Sequence, residues 1–389
     1  MKTAVIGAVL LVIGLVLIAT GVLPTSDALE VATRVWPILL FVVAITVVTE
    51  LAAEAELFRV IAERTAKWGR GRAIALWLFV VLLAVASTVF LSLDTTAVLL
   101  TPVVVLLARH VGLPPLPFAL TTVWLANTAS LLLPVSNLTN LLAEHELASV
   151  DSGPQGPIGF ASLMLPAAIV AIVVPCLVLL VVYRRALFAR YEPDAPSPAA
   201  DRVLLVASAV VIGALLPALV SGVEVWIPAC IAAVVLTGFF IVRRREVLRF
   251  SLVPWQVVLL ASGLFLVVEA GHSIGMTTLL ENVAGTGTDP LSLLRLAGSG
   301  AIGSNLVNNL PAYLALEPVA VSPERVAALL VGVNAGPLIT PWASLATLLW
   351  HERLVSLGVE ISWRKYALLG LVVVPLVVIP AVLALAIAR

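Results

Sequence analysis

The chain of 389 residues is 61% hydrophobic and only 11% charged, and its 22 basic and 22 acidic residues leave no formal net charge. An ordinary soluble domain carries roughly a quarter charged residues, so this apolar excess cannot be hidden inside a water-soluble globule. The composition therefore predicts a polytopic membrane protein, and the neutral charge balance argues against a nucleic-acid partner. Neither the two cysteines, Cys176 and Cys230, nor the four histidines show metal-ligand spacing, so we expect no metal site, no cofactor and no enzyme active site.

Apolar segments of bilayer length follow one another along the chain. The first, residues 4–22, is as long as a span needs, roughly 20 residues, and we interpret it as a retained membrane helix because more spans follow. Six further clear spans are predicted, at residues 33–53, 158–183, 203–221, 225–242, 255–272 and 366–387. With two interrupted apolar regions added, we expect about nine full spans plus two hairpins, or up to about thirteen crossings.

The first interrupted region covers residues 73–142 and contains two polar tracts. The tract at 92–96 (Ser-Leu-Asp-Thr-Thr) predicts a re-entrant hairpin near 73–108. The second tract begins at Asn127 and contains Pro134, which cannot donate a hydrogen bond in a helical ladder, so we predict a broken helix near 117–142. Irregular backbone at membrane depth is tolerated only where it is buried in protein or lines a wet cavity.

The second interrupted region, residues 291–350, has the same plan. A polar tract at 304–311 predicts a hairpin near 291–320, and a Pro-interrupted tract from Asn334 onward predicts a broken helix near 325–350.

The two broken segments align with each other without a gap. Asn127 falls on Asn334, an offset of 334 − 127 = 207, and the same offset brings Pro134 onto Pro341. A duplicated, Pro-interrupted polar segment in each half of a hydrophobic chain is typical of a secondary transporter.

The Lys and Arg distribution predicts the orientation of these segments. The basic loops should be cytoplasmic; they lie at 59–72, 184–202 and 243–249. The loops at 143–157 and 273–290 carry acidic residues and no Lys or Arg, and should face outward. The first interrupted region then runs from inside to outside and the second from outside to inside, as inverted-topology repeats do. We therefore divide the chain into membrane halves 1–183 and 203–389, joined by a cytoplasmic linker at 184–202.

Amides and hydroxyls at the two breaks and at the second hairpin are the expected solute ligands, because polar groups inside apolar segments are costly. The predicted substrate-binding residues are Asn127, Thr128, Ser130, Asn137, Asn305, Asn308, Asn309, Asn334, Gly336, Thr340 and Ser344. For any single residue, hydrogen bonding between helices is an equally good explanation. The clustering of so many, with a copy in the other half, favours binding.

Asp94 is the one acid inside any of these motifs. A carboxylate near mid-membrane normally has a functional role or a cationic partner, so we predict that Asp94 couples proton movement, with Thr95 and Thr96 beside it. The alternative is that Asp94 caps a half-helix of the hairpin. Glu269 is the second candidate for proton coupling, although a solvated pair with His272 is the simpler interpretation. For Glu50, at the end of its span, the simplest interpretation is that it lies on a solvated face.

Four segments carry a family resemblance. Residues 93–102, 127–142, 308–311 and 336–345 resemble the arsenical-pump membrane proteins of the ion-transporter superfamily. The resemblance implies a scaffold-plus-transport-domain fold in the inner (plasma) membrane, a homodimer, and transport by alternating access. Many relatives carry an Asp-Asn pair just before the paired threonines; here Ser92-Leu93 occupy those positions and Asp94 directly precedes Thr95.

From these observations we expect a proton-coupled efflux carrier for arsenite and antimonite, and not an enzyme. Arsenite is mostly the neutral trihydroxide at neutral pH, which suits amides and hydroxyls, and no Lys or Arg interrupts the motifs. The alternative is a sodium/proton antiporter or an anion (carboxylate) carrier on the same fold. The expected partners are arsenite, antimonite or another small ion, protons or sodium, the lipid bilayer and a second copy of the chain; whether a soluble ATPase docks stays open.

Overall fold

The computed structural model describes residues 2–149, 153–192 and 200–388, and its regular elements are helices. Those of the first half are α1 (Lys2–Ala19), α2 (Thr25–Glu54), α3 (Leu57–Trp68), α4 (Ala73–Phe90), α5 (Leu93–Thr95), α6 (Thr101–His110), α7 (Pro115–Thr128), α8 (Leu138–Ser149), α9 (Gly156–Val182) and α10 (Arg184–Leu187). Those of the second half are α11 (Arg202–Leu219), α12 (Trp226–Arg243), α13 (Trp255–Ser273), α14 (Met276–Ala284), α15 (Pro290–Val307), α16 (Asn309–Leu316), α17 (Pro323–Ala335), α18 (Leu345–Ser356) and α19 (Trp363–Ile387). A π-helical turn, Thr96–Leu100, joins α5 to α6.

Eight helices in the described part of the chain are long and apolar enough to cross a membrane. Counted with the broken helices, the described residues make nine crossings: α1, α2, α7 with α8, α9, α11, α12, α13, α17 with α18, and α19. Helix α4 returns through α5 and α6 as hairpin 1, and α15 returns through α16 as hairpin 2. The predicted fold class, a polytopic all-α protein with two hairpins and broken helices, is confirmed.

The observed helices differ from the sequence expectation mainly at their ends. Helix α2 begins at Thr25, directly after Pro24, and is longer than the expected span at 33–53. Helix α8 continues to Ser149, so Glu144 and Glu146 lie on a helix and not in an external loop. The centre of the expected linker, residues 193–199, lies outside the described residues, and the division into halves stays a prediction.

One face of the molecule gathers the basic loops, and we call it the basic face. At this face Arg72 and Arg190 form an isolated bridge, and the Tyr191 hydroxyl donates to the Ala66 carbonyl at 2.5 Å. Arg244 donates to the carbonyl of Glu54 at 3.0 Å. These contacts join the ends of α2, α3 and α12, the start of α4 and the segment after α10, and the positive-inside rule predicts that the face is cytoplasmic.

The opposite face joins a different set of helix ends. Arg325, fully buried at the start of α17, donates to the carbonyls of Gly287 at 2.7 Å and Val319 at 3.0 Å. The Ser273 hydroxyl, at the end of α13, donates to the Val22 carbonyl at 3.2 Å. Hairpin 1 thus begins and ends at the basic face and hairpin 2 at the opposite face, which is the inverted topology that the loop charges predicted.

Two bundles of helices divide the molecule. In the scaffold bundle (α1, α2, α11, α12 and α13), α1 packs along α13 and α12 packs along α2. Gly7 and Gly263 allow the first of these contacts: a Cβ on Gly7 would lie 2.5 Å from the Leu260 backbone nitrogen, and one on Gly263 equally close to that of Leu11. Small residues bring membrane helices together in this way. The core bundle consists of the two hairpins, the two broken helices, α9 and α19.

Candidate functional site

The two helix breaks have the same backbone conformation. After α7, a 3-10 turn at Pro134–Ser136 leads to Asn137, which is extended (φ −153°) immediately before α8. After α17, a 3-10 turn at Pro341–Ala343 leads to Ser344, which is also extended (φ −142°), immediately before α18. Each feature recurs at the offset of 207 residues found in the sequence. The duplication is therefore one of three-dimensional structure as well as of residue type.

The tips of the two hairpins are also alike. Ser92 in hairpin 1 has φ 139° and Asn308 in hairpin 2 has φ 124°, both in the region that favours glycine. Each side chain accepts from the backbone of the helix that follows: Ser92 Oγ from Thr95 N at 3.2 Å, and Asn308 Oδ1 from Leu310 N at 3.4 Å. Strained residues of this kind persist where the surroundings hold them, and they cluster at functional sites.

A central cleft lies where the hairpin tips, the helix breaks and the scaffold helices α2 and α13 meet. Its polar lining comes from Thr46, Ser92, Asp94, Asn137, Asn308, Asn309 and Ser344, and the remainder is apolar. Among the described lining residues Asp94 is the one ionisable side chain. The cleft can therefore surround a small polar solute with amides and hydroxyls and present a single carboxylate to it.

A second cavity, the vestibule, connects this cleft with the basic face. It shares Thr46 and Asp94 with the cleft. It then continues past Glu50 of α2 to Ser251 and Gln256, in the loop and first turn that lead into α13. Asp94 thus lies at the junction of the two cavities, where a proton could reach it from the basic side.

Asp94 makes no hydrogen bond or ion pair with any described residue, whereas its neighbours are bonded. The Thr95 hydroxyl lies 3.1 Å from Ser92 Oγ, and the Thr88 hydroxyl donates to that of Thr96 at 2.8 Å. The capping position that the sequence offered to Asp94 is occupied by Ser92, which accepts from Thr95 N. The carboxylate is therefore not used as a helix cap in this structure.

The crossing of α8 with α17 is a closed amide network around Asn334. Its Oδ1 accepts from Asn137 Nδ2 and from the Thr139 hydroxyl, both at 2.9 Å, and its Nδ2 donates to Asn140 Oδ1 at 2.7 Å. Asn140 in turn donates to the Ser130 carbonyl at 2.6 Å. Every polar atom of the Asn334 side chain is thus bonded, and the bonds join the two repeats.

The equivalent crossing of α7 with α18 is open. The Trp350 indole of α18 donates to the Ala119 carbonyl of α7 at 2.8 Å, and the repeat makes Asn127 and Ser344 the equivalents of the bonded pair Asn334 and Asn137. Asn127 donates to Val123 O at 2.9 Å within its own helix, but its buried Oδ1 has no partner among the described residues. The buried hydroxyl oxygens of Thr128 and Ser344 are also without one. Native structures leave few buried polar atoms unbonded, so these call for a ligand or ordered water.

Asn305, Gly336 and Thr340 tie hairpin 2 to the break that follows α17. Asn305 Nδ2 donates to the Gly336 carbonyl at 2.8 Å, and its Oδ1 accepts from Thr340 N at 2.9 Å. The Trp342 indole donates to Asn305 O, and Asn308 Nδ2 donates to Trp342 O, each at 2.8 Å. These residues hold two segments of the second repeat together, so they support the cleft rather than face it, except Asn308.

Sequence comparisons agree with this architecture. The family described as citrate transporter matches residues 1–347. An arsenical pump membrane protein of Escherichia coli (strain K12) is 30% identical over 396 residues, covering 95% of this chain and 89% of the relative. The chain belongs to the arsenical-pump membrane protein family. A putative arsenical pump membrane protein of Bacillus subtilis (strain 168) is 25% identical, covering 94% of this chain and 90% of the relative.

A structural comparison supports the same fold. The YdaH transporter of Alcanivorax borkumensis, whose crystal structure is described as having an unusual topology, superposes with a TM-score of 0.60 at 16% identity; the match covers 93% of this chain and 86% of that one. Membership of the arsenical-pump family makes the protein a transporter and a multi-pass protein of the inner membrane, as the sequence resemblance implied.

The predicted site residues of this family member separate into four groups. Asp94, Asn137, Asn308, Asn309 and Ser344 line the central cleft, and Thr95 lines the vestibule. Four residues lie buried at the two crossings of broken helices: Asn127, Thr128, Ser130 and Asn334. A third group supports the structure around the cleft: Thr96 is bonded inside hairpin 1, and the second break is held by Asn305, Gly336 and Thr340. Glu269 lies outside both cavities, 4.0 Å from His272. Among the described residues no His, Cys, Asp and Glu side chains form a group that could hold a metal ion.

The sequence interpretation missed the contribution of the scaffold helix α2. Thr46 lines the cleft, and Thr46, Thr49 and Glu50 line the vestibule. Their spacing of three and four residues places them on one face of the helix, so a polar stripe on an apolar span was the available signal. Glu50 was expected on a solvated face, but it is half-buried and belongs to the vestibule.

Proposed function

We propose that the protein is a proton-coupled efflux carrier for arsenite and antimonite that works by alternating access. The observation that carries the proposal is the lining of the cleft, which combines amides and hydroxyls from both repeats with a single carboxylate, Asp94. A neutral trihydroxide can both donate to amide oxygens and accept from amide N–H groups, so it matches this lining without a counter-charge. The relatives named as arsenical pumps support the same substrate class.

Asp94 is the proposed site of proton coupling. It faces the cleft and the vestibule together and has no cation beside it among the described residues. A proton taken up there would neutralise the one charge among the described residues of the cleft lining, and solute and proton would compete for the same space. Uptake of one with release of the other is then the coupling step, and no ATP is required by this chemistry.

A second candidate function is a sodium-coupled anion carrier or sodium/proton antiporter. The family name, citrate transporter, supports the anion, and the unbonded buried oxygens of Asn127, Thr128 and Ser344 support a bound cation, since cations of this class prefer oxygen ligands. An anion carrier would need such a cation, because the described lining of the cleft contains no Lys or Arg.

Everted membrane vesicles distinguish the two functions. For the arsenite carrier we expect uptake that is driven by a proton gradient, collapses with a protonophore and is unchanged when sodium is replaced by potassium. Sodium-driven alkalinisation or citrate uptake without arsenite transport would replace the first proposal by the second. Growth of an efflux-deficient host on arsenite, with and without the gene, tests the substrate in cells.

The proposed partners are tested in the same preparation. Arsenite uptake in vesicles depleted of ATP should continue at the rate set by the proton gradient if no ATPase subunit is needed. Chemical cross-linking of the protein in its native membrane should give a homodimer band if the family's dimeric state applies to this chain.

A further inference from the structure

Helix α2 carries two charged side chains within its apolar length. Arg34 lies near its beginning at the opposite face, and Glu50 lies one turn from its end at the basic face. They are 50 − 34 = 16 residues apart, which corresponds to about 24 Å along a helix. Both residues are half-buried. Charged groups inside a span are costly and normally have partners with a functional role.

Arg34 joins the scaffold bundle to the core bundle at the opposite face. Its guanidinium contacts the carboxylate of Glu317, which follows hairpin 2, and lies 3.8 Å from that of Glu146 on α8. The Tyr313 hydroxyl of α16 also donates to Glu317 at 2.9 Å and holds that carboxylate in place. The Glu317 side chain is only 9% exposed, so this ion pair is shielded from water at a contact between the two bundles.

Arg353, near the end of α18, acts electrostatically on the Glu50 carboxylate at the other end of α2, and no ion pair within 4.0 Å joins the two groups. Glu50 instead faces the vestibule. The ion pair at the opposite face is therefore closed, and its counterpart at the basic face is open.

The repeat relates the core-bundle partners of these two charges. Glu146 on α8 and Arg353 on α18 occupy equivalent positions, since 146 + 207 = 353. The charges at these equivalent positions are opposite, and each is complementary to the α2 residue at its own face. Packing alone requires no such reversal of sign. In this structure the central cleft communicates through the vestibule with the basic face, where the pair is open.

We propose that the two ion pairs are alternate gates: Arg34 with Glu146 and Glu317 closes the cleft at the opposite face, and Glu50 with Arg353 closes it at the basic face when the first pair separates. A displacement of the core bundle along α2 that separates one pair brings the other together. The proposal rests on the transporter fold and not on the identity of the solute, so it survives if arsenite proves to be the wrong substrate.

Side-specific labelling of a cysteine in the cleft tests the gates. Val257→Cys, on scaffold helix α13 between the cleft and the vestibule, is placed in a background with Cys176→Ala and Cys230→Ala. An impermeant thiol reagent is applied to intact cells or to everted vesicles. We expect the parent to react several-fold faster in everted vesicles, where the basic face is exposed. Arg34→Gln should raise labelling in intact cells several-fold, and adding Glu50→Gln should reduce that increase, because both gates are then weakened.

Matched variants separate gating from a general loss of structure. Arg34→Lys keeps the positive charge and should retain most of the parental side preference. Arg59→Gln removes the ion pairs of 2.8 Å that Arg59 makes with Glu56, just before α3, and with Glu63 on α3, and it should change nothing. If Arg34→Gln accumulates normally but leaves the side preference unchanged, the proposal is wrong. If it does not accumulate, Glu146→Gln decides, because that side chain is 43% exposed and its loss is expected to be tolerated: a smaller shift in the same direction supports the gate, and no shift overturns it.

Discussion

Two crossings of broken helices, equivalent by the repeat, have opposite states of hydrogen bonding. At the α8–α17 crossing all polar atoms of the Asn334 side chain are bonded to residues of the other repeat. Asn127, the repeat equivalent of Asn334, lies at the α7–α18 crossing. Its buried Oδ1 has no partner among the described residues, and neither has the Ser344 hydroxyl. Since buried polar groups are costly when unbonded, we predict that one copy stabilises the fold and that the other contacts a ligand or ordered water.

The hairpins show the same difference. Hairpin 2 is fixed to the neighbouring break through Asn305 and Trp342, whereas the tip of hairpin 1 exposes Asp94 to the cleft without a partner in the described residues. Hairpin 1 and the α7–α18 crossing therefore form the open part of the site. Hairpin 2 and the α8–α17 crossing form the closed part.

The largest effect is expected from Asp94→Asn. If Asp94 carries the coupled proton, this variant loses proton-driven accumulation of arsenite in everted vesicles but keeps downhill exchange of arsenite. The amide is isosteric with the carboxylic acid, so expression and thermal stability should be unchanged. Glu281→Gln, an exposed acid on α14, is the matched control and should accumulate arsenite as the parent does. Full coupling in Asp94→Asn would remove Asp94 from the mechanism and leave Glu269 as the remaining candidate.

Asn127→Ala tests whether the open crossing contacts the solute. Within the protein the side chain makes one bond, to Val123 O in its own helix, so we expect a stability change below about 1 kcal/mol. Loss of a solute contact worth about 1–3 kcal/mol corresponds to a roughly five- to 150-fold weaker apparent affinity in an arsenite uptake assay. A parental affinity would show that the unbonded oxygen serves only ordered water.

Asn334→Ala should have the opposite effect: the protein should become less stable, while each folded molecule should still transport arsenite. Three side chains, Asn137, Thr139 and Asn140, lose a bonded partner, and we expect a loss of about 1–3 kcal/mol in the free energy of unfolding. Thermal unfolding in detergent measures it. Asn282→Ala, an exposed amide bonded only within α14, is the control. If Asn127→Ala and Asn334→Ala lose transport equally, the two crossings have the same role and the predicted difference between them is wrong.

The sequence alone could predict the repeat but not this division. Pro134 and Pro341 mark the two breaks because proline ends a helical ladder, and the common offset fixes their equivalence. Whether an amide such as Asn334 faces the cleft or a neighbouring helix depends on the irregular backbone around it, where no periodicity applies. Contacts such as that between Arg34 and Glu317 join residues far apart in the chain, and no local pattern encodes them.

The smallest effect, and the most direct test of the comparison, is expected from converting the open crossing into a closed one. Ser344→Asn with Ala346→Thr introduces at α18 the residue types that Asn137 and Thr139 supply at α8.

Both new side chains could donate to the oxygen of Asn127, as Asn137 and Thr139 donate to that of Asn334. We expect a gain of about 0.5–1.5 kcal/mol per bond formed in the free energy of unfolding, together with weaker arsenite uptake, because the oxygen is now occupied. Ser344→Ala, which removes the hydroxyl and adds no donor, is the control and should weaken uptake without any gain in stability. A double variant that is more stable yet transports at the parental rate would place the solute elsewhere in the cleft, because the open crossing would then be dispensable.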